Sequence, residues 1–157
     1  MADANKLRVL VLNQISPLGL QRLPTALYEV GKDVAAPDAV LLRSADLHQA
    51  AIAPSVKAIA RAGAGTNNIP VPAMSARGVP VFNAPGANAN AVKELVLAGM
   101  LLAARNLPAA LRFVDGLDPQ APDMDRKVED GKKSLAGYEL AGQTLGVIGL
   151  GKIGCLV

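Results

Sequence analysis

Short apolar runs alternate with polar stretches rich in glycine and proline along the first half of the chain. The runs are three to six residues long, too short for helices, and turn-forming residues bound them. This is the pattern of strands that are buried on both faces of a sheet. The predicted strands are residues 7–12, 28–30, 38–43, 56–61 and 79–83.

The segments between these strands have helical character. Ser16 followed by Pro17 predicts a helix start, with the helix running to about residue 23, and further short helices are predicted at residues 48–52 and 71–77. Strands that alternate with helices indicate parallel βαβ units with right-handed crossovers. The first half therefore predicts an α/β fold, a flavodoxin-like open parallel sheet.

The pattern changes in the second half. Residues 90–106 are apolar on nearly every side, which predicts a long helix buried between layers or subunits, with Asn90 as its N-cap and Glu94 in its first turn. Residues 115–134 are charged and interrupted by proline and glycine. They predict a linker or an exposed loop with one helical turn.

A glycine pattern follows one more strand-like run at the end of the sequence. Gly149, Gly151 and Gly154 form G-x-G-x-x-G directly after the apolar residues 145–148. In a βαβ unit the first glycine permits a tight turn, the second lets a pyrophosphate approach the backbone, and the third lets the helix pack closely on the strand. The pattern predicts a dinucleotide-binding loop, with an ordinary glycine-rich turn as the alternative.

Composition narrows the function classes. The chain of 157 residues is 51% hydrophobic but only 3% aromatic, which suits packed α/β layers and not a platform for stacking nucleic-acid bases. The net charge of +3 is spread along the chain, so we predict no nucleic-acid partner. The most apolar stretch, residues 95–104, is too short to cross a membrane, and residues 1–13 lack the pattern of a signal sequence. We therefore predict a cytoplasmic location and no membrane partner.

Cysteine and histidine each occur once, as Cys155 and His48. One cysteine excludes an internal disulfide and cysteine-cluster metal sites, and one histidine argues against a histidine-based zinc site. We predict no metal site, a surface or helix-end role for His48, and an inert role for Cys155.

Candidate anion-binding residues follow the predicted strands. Arg43 and Ser44 end one strand, Arg61 ends another, and the glycines of residues 63–66 leave backbone N–H groups free to form an anion nest. In an open parallel sheet, ligands bind beyond the carboxyl ends of the strands. These residues, with the loop at residues 83–90, predict a site for a small anionic substrate. The alternatives are solvated surface arginines and ordinary turns.

Three runs of the sequence resemble the D-isomer-specific 2-hydroxyacid dehydrogenase family, and within it the phosphoglycerate dehydrogenases. They are VLLRSADL, KAIARAGAGTNNIPVPAMSARGVPVFNAPGANANAVKELVLAGMLL and GKKSLAGYELAGQTLGVIGLGKIG. The resemblance implies an oxidoreductase with a flavodoxin-like substrate domain and an inserted Rossmann domain that binds NAD. The implied activity is oxidation of 3-phosphoglycerate to 3-phosphohydroxypyruvate, in serine biosynthesis, by a homo-oligomer.

The resemblance also divides the chain. Residues 1–89 would be the front part of the substrate domain, residues 90–114 a long buried inter-domain helix, residues 115–137 a linker or loop, and residues 138–157 the first strand and glycine loop of a truncated Rossmann domain. The family's catalytic arginine, acidic residue and general acid/base lie beyond the glycine loop. We therefore expect no catalytic residue in this chain, which would be part of a longer protein and inactive alone.

Roles for individual residues follow from the same resemblance. Arg43, Ser44 and Arg61 would contact the substrate phosphate, the backbone of Ala64 and Gly65 its carboxylate, and Asn88 would line the site. The NAD pyrophosphate would lie against Gly149, Gly151, Lys152, Ile153 and Gly154.

Other functions remain open on the sequence. The chain could belong to a dehydrogenase for another D-2-hydroxy acid, such as glycerate, lactate or formate. It could also be a non-catalytic NAD-sensing module like a corepressor of the same fold. The choice between NAD and NADP is open too, because the acidic position that binds the ribose hydroxyls lies beyond this sequence.

Overall fold

The computed structural model describes residues 6–157. The chain divides into two units, Met1–Asn88 and Ala89–Val157, called unit 1 and unit 2 below, and the description of unit 1 begins at residue 6. Residues 1–5, which begin the segment tested above for a signal sequence, lie outside the described residues.

Unit 1 is built on a sheet of five parallel strands in the order β2-β1-β3-β4-β5. This is the flavodoxin-like order, in which the chain moves first to one side of β1 and then to the other. The predicted parallel α/β fold is confirmed. The strands are β1 Leu7–Val11, β2 Tyr28–Gly31, β3 Ala39–Leu42, β4 Ala58–Arg61 and β5 Val81–Phe82.

The register of the central strands places the core on one face. Val40 pairs with Ile59, and Leu42 pairs with Arg61, so these four side chains share a face of the sheet. Leu42 and Ile59 are completely buried. The cluster around them is aliphatic apart from Met74, as the low aromatic content requires. Arg61 therefore continues the core face at the carboxyl end of β4.

The helices of unit 1 are short: α1 Pro17–Leu20 and α2 Val71–Ala76. The helix predicted at residues 48–52 is wrong, because that segment consists of bends and irregular backbone. Leu47 N–H, just before this segment, donates to the Asn68 carbonyl at 2.9 Å, and His48 N–H donates to the Asp46 carboxylate at 2.9 Å. Five residues without internal hydrogen bonds cannot sustain a helix.

Unit 2 is helical, with α3 Ala89–Ala104, α4 Leu107–Asp115, α5 Met124–Lys132 and a 3₁₀ turn Lys133–Leu135. The long predicted helix is α3, but Asn90 lies inside it, where its side chain contacts Glu94 and Lys93 instead of capping the backbone. The break before α4 has Asn106 in the left-handed region at φ 50°. Pro108 two residues later cannot supply the N–H that a continuous helix needs.

Two predictions for unit 2 are wrong. The stretch predicted as a linker contains α5, whose charges are spaced for pairing along a helix: Lys127 lies 3.1 Å from Asp123, four residues before it. Residues 145–148 form no strand. A strand needs a hydrogen-bonding neighbour, and the described part of unit 2 contains none.

The apolar side chains of α3 are largely exposed. Leu95 is 73% exposed and Leu101 is 51% exposed, while Ala89 and Ala104 are the buried residues of this helix. Burial of α3 between layers or subunits stays a prediction. Among the described residues no single helix has the length and hydropathy to cross a bilayer, and only α3 and α4 together, bent by 64°, meet those criteria.

Candidate functional site

A cleft of about 590 Å³ lies beyond the carboxyl ends of β1, β2 and β3. Because the strand order reverses at β1, this cleft is at the switch point where open α/β sheets bind ligands. Arg43 is exposed, directly follows β3, and contributes to the wall. The lining residues are Val11, Asn13, Gln14, Ile15, Ser16, Pro17, Leu20, Val30, Gly31, Lys32 and Arg43.

Two asparagines fix the backbone from Arg43 to Ala45. Asn13 follows β1 with φ 68°, a region that asparagine tolerates, and its Oδ1 accepts hydrogen bonds from the N–H groups of Ser44, at 3.0 Å, and Ala45. Asn68 is 9% exposed, and its Nδ2 donates to the carbonyls of Arg43, at 3.3 Å, and Ala45, at 2.7 Å. The loop after β3 is thereby held to the loops after β1 and β4.

These two positioning residues were not predicted from the sequence. A signal existed for Asn13, because asparagine after a buried strand is a common choice for a left-handed turn. Asn68 gave no comparable signal, since its partners are 23 and 25 residues away.

Arg61 lies apart from the cleft. A Cβ added at Gly63 would come within 2.6 Å of an Arg61 Nη, and one added at Gly65 within 3.5 Å, so the guanidinium folds over the loop that follows its own strand. Its Nε is buried and has no hydrogen-bond partner among the described residues. A buried, charged donor without a partner is costly, which favours an anion at this position.

The loop beneath Arg61 presents free backbone donors. The Gly63 carbonyl accepts from Ala84 N–H at 2.9 Å, and the Ala64 carbonyl accepts from Asn83 Nδ2 at 2.7 Å. Within the described chain, the N–H groups of Ala64 and Gly65 donate to no protein acceptor. The loop is thus anchored through its carbonyls, while its N–H groups remain available, as an anion nest requires.

The predicted substrate residues therefore fall into groups. Arg61, Ala64 and Gly65 come together on one loop, whereas Arg43 lines the cleft over β1. Ser44 is exposed beside Arg43, with its N–H bound to Asn13. Asn88 is exposed in the turn that ends unit 1 and does not line the cleft.

The glycine loop of unit 2 has two positions at which the structure requires glycine and one that is open to solvent. Gly149 adopts φ 94°, and a Cβ at Gly154 would lie 2.0 Å from the Gly149 carbonyl oxygen, so both positions need glycine. A Cβ at Gly151 would meet no atom within 4 Å, which leaves its backbone open to a ligand. Lys152 lines a hollow of about 560 Å³ beside the loop. Of the three glycines, Gly149 and Gly151 are therefore the ones whose backbone is accessible.

The remaining candidates are unremarkable. The His48 Nε2 lies 3.0 Å from the Asn67 carbonyl oxygen, and the exposed Cys155 Sγ lies 3.1 Å from the Leu150 carbonyl oxygen. No group of three side chains suited to a metal occurs within residues 6–157.

A family model and individual relatives of known name point to the same family for this chain. Residues 19–147 match the model of the D-isomer specific 2-hydroxyacid dehydrogenase, catalytic domain. Over 123 residues, 76% of this chain and 21% of the relative, the chain is 43% identical to D-3-phosphoglycerate dehydrogenase of Mycobacterium bovis. It is 39% identical over 130 residues to hydroxypyruvate reductase of Thermotoga maritima, covering 80% of this chain and 39% of that protein.

Solved structures agree. The NADPH-dependent glyoxylate/hydroxypyruvate reductase of Sinorhizobium meliloti, in complex with NADP and malonate, matches with a TM-score of 0.71 and 27% identity over 97% of this chain and 49% of that one. The NAD⁺-bound 3-phosphoglycerate dehydrogenase of Entamoeba histolytica matches with a TM-score of 0.65 and 25% identity, over 96% and 48%. The chain spans about a fifth of the length of the curated phosphoglycerate dehydrogenases and about half of these solved chains.

Proposed function

Because the chain belongs to the D-isomer specific 2-hydroxyacid dehydrogenase family, we propose that its protein oxidises 3-phosphoglycerate to 3-phosphohydroxypyruvate with NAD as hydride acceptor. This reaction would make the protein an enzyme of serine biosynthesis. Relatives named D-3-phosphoglycerate dehydrogenase, 43% identical over 123 residues, support the choice of substrate.

The observation that carries the proposal is the cationic cleft at the switch point of the sheet. Arg43 is exposed on its wall, and the described residues that line it include no acidic side chain. Arginine binds phosphate through paired, charge-assisted hydrogen bonds, so this position suits a phosphorylated acid better than an unphosphorylated one.

The family resemblance implies further contacts, of which Ser44 lies beside Arg43 and its hydroxyl is assigned to the phosphate. Arg61, which the resemblance also assigns to the phosphate, and Asn88, which it assigns to the wall of the site, lie outside this cleft in the structure. The N–H groups of Ala64 and Gly65, which donate to no acceptor in the described residues, would receive the carboxylate.

The cofactor would be held by unit 2. The backbone at Gly149, Gly151, Lys152, Ile153 and Gly154 would receive the pyrophosphate, with open space beside Gly149 and Gly151. When bound, the nicotinamide group supplies the hydride acceptor of the reaction. We propose NAD and not NADP on the resemblance to phosphoglycerate dehydrogenases.

Residues 1–157 alone should not transfer hydride. The sequence resemblance assigns the catalytic arginine, acidic residue and general acid/base to positions beyond the glycine loop. His48 does not replace them, because its Nε2 is engaged with the Asn67 carbonyl. NADH formation from 3-phosphoglycerate by the purified 157-residue chain would contradict this. We further propose that the enzyme is a cytoplasmic homo-oligomer.

The test is a substitution of Arg43 in the protein at the full length at which its natural source produces it. Loss of one charged hydrogen-bonding group costs about 1.5–3 kcal/mol, so Arg43→Gln should raise KM for 3-phosphoglycerate by about tenfold or more. For D-glycerate, which lacks the phosphate, KM should change by less than about twofold. Arg22→Gln is the matched control, because Arg22 is exposed outside the cleft.

A second candidate is the reduction of an unphosphorylated 2-oxo acid. The match to hydroxypyruvate reductase of Thermotoga maritima, 39% identical over 130 residues, favours it. The Arg43→Gln experiment separates the two candidates. Equal losses for phosphorylated and unphosphorylated substrates would favour the reductase, since Arg43 would then serve a group that both substrates share.

A further inference from the structure

We propose that Lys32 is a second cationic contact for the substrate phosphate, on the side of the cleft opposite Arg43. This inference rests on the proposed function, because it assumes a phosphorylated ligand. It adds a residue that neither the strand-end pattern nor the family resemblance singled out.

The sheet order places Lys32 and Arg43 on either side of β1. Lys32 directly follows β2, Arg43 directly follows β3, and β1 lies between these strands. Neighbouring strands are about 4.8 Å apart, so the ends of β2 and β3 are about 10 Å apart. Two long cationic side chains can reach a single phosphate from both sides of such a gap. Both residues line the cleft, with Asn13 at the end of β1 between them.

Both cations are available for a ligand. Within residues 6–157 neither Lys32 nor Arg43 forms a salt bridge, and neither side chain forms a hydrogen bond. By contrast, Lys57 in the same unit is 2.9 Å from the Asp38 carboxylate. Asp33 follows Lys32 in sequence but does not line the cleft.

The two side chains differ in a way that suits a phosphate monoester. Arginine offers a planar pair of donors, and lysine adds a compact charge with three donors that can rotate. A monoester carries close to two negative charges at neutral pH. Arg61 does not line this cleft, so Arg43 alone leaves part of that charge uncompensated there, and Lys32 should increase selectivity for the phosphorylated acid over its unphosphorylated analogue.

The experiment measures binding by the 157-residue chain and does not require turnover. Amide NMR spectra are recorded during titration with inorganic phosphate, 3-phosphoglycerate and D-glycerate. We expect both phosphate compounds to shift the amides of Asn13, Lys32 and Arg43, and D-glycerate to leave them unchanged. Lys32→Met should weaken phosphate binding by about tenfold, the effect of one charged contact. Lys32→Arg should restore most of the affinity.

The control is Lys133→Met, which removes the same charge from an exposed position in unit 2 and should change the affinity by less than about twofold. Retained amide dispersion in Lys32→Met would show that the variant folds. Phosphate affinity of Lys32→Met within twofold of the unmodified chain would overturn the inference, as would shifts confined to residues outside the cleft. If inorganic phosphate binds in a Lys32-dependent manner but 3-phosphoglycerate does not, the cleft is an anion site and the proposed substrate is wrong.

Discussion

The two units use similar aliphatic residues in opposite ways. Among the described residues, unit 1 buries ten hydrophobic side chains, whereas unit 2 buries only the alanines Ala89 and Ala104. Of the twenty large hydrophobic side chains that are exposed, sixteen are in unit 2, including Leu95 and Ile148. Unit 1 closes a core because its five strands pair with one another. Nine of these sixteen side chains lie on the helices of unit 2, which leave them exposed.

Leucine-to-alanine substitutions in the two units give the sharpest test of this difference. Leu42 is completely buried, so Leu42→Ala should lower the free energy of unfolding by about 3–5 kcal/mol through lost transfer energy and a cavity. Leu95 is 73% exposed, and Leu95→Ala should change the free energy of unfolding by less than about 0.5 kcal/mol. Urea unfolding of the 157-residue chain at low protein concentration measures both values.

Protein concentration provides the control for this pair. If copies of the chain cover α3 in solution, the Leu95→Ala effect should grow with concentration, because association stabilises only the folded form. A cost for Leu95→Ala equal to that of Leu42→Ala at every concentration would contradict the described exposure.

Two asparagines extend the comparison to polar groups. Asn68→Ala removes a buried amide that donates to two carbonyls, and we expect a loss of about 1–3 kcal/mol from the free energy of unfolding. Asn90→Ala removes an exposed amide whose partners, Lys93 and Glu94, are also accessible to water, and should cost less than about 0.5 kcal/mol. Chemical denaturation of both variants measures the difference. Equal costs would contradict a clamping role for Asn68.

Asn68→Ala should also affect the site. With the Arg43 carbonyl no longer held, the cleft should bind inorganic phosphate more weakly, while Asn90→Ala leaves binding unchanged. The same amide NMR titration detects this. Unchanged phosphate affinity in Asn68→Ala would mean that the hydrogen bonds from Asn13 to Ser44 and Ala45 position the loop without help.

The sequence predicted unit 1 well because its signals are local. Each buried strand is a short apolar run between turn residues, so the five strands and their parallel arrangement followed from the pattern and from the alternation of strands with helices. The helix predicted at residues 48–52 is wrong because five residues are too few to form a stable helix alone. The neighbouring Leu47 N–H donates to the distant Asn68 carbonyl, a contact that the sequence does not reveal. The placement of Lys32 opposite Arg43 was equally hidden, since it depends on which strands are neighbours of β1.

The two wrong predictions for unit 2 have a different cause. The run at residues 145–148 has strand propensity, but a strand forms only when a neighbour supplies hydrogen bonds, and the described residues supply none there. In α5 the charged residues that indicated a linker instead pair along the helix, at spacings of three and four. Composition alone does not distinguish a charged linker from a charged helix of this kind.

Removal of a charged side chain should give the smallest changes in the free energy of unfolding, and these changes should still differ between the two units. Asp38 joins distant parts of unit 1: its carboxylate accepts from Arg8 N–H at 2.9 Å and lies 2.9 Å from Lys57 Nζ, and these contacts, the backbone hydrogen bond first, hold the pKa of Asp38 below its ordinary value of 3.8.

Because the folded pKa is lowered, its stabilisation is complete above pH 3.8 and is lost as pH falls through the folded value. Asp38→Asn should therefore be less stable than the unmodified chain at pH 6, and the difference should shrink as pH falls through the folded pKa of Asp38. Glu129→Gln, which removes an exposed pair with Lys132 on α5, should cost at most about 0.5 kcal/mol. Urea midpoints across this pH range measure both. A difference for Asp38→Asn that stays constant down to pH 2 would show that the shape of the side chain matters at this position and its charge does not.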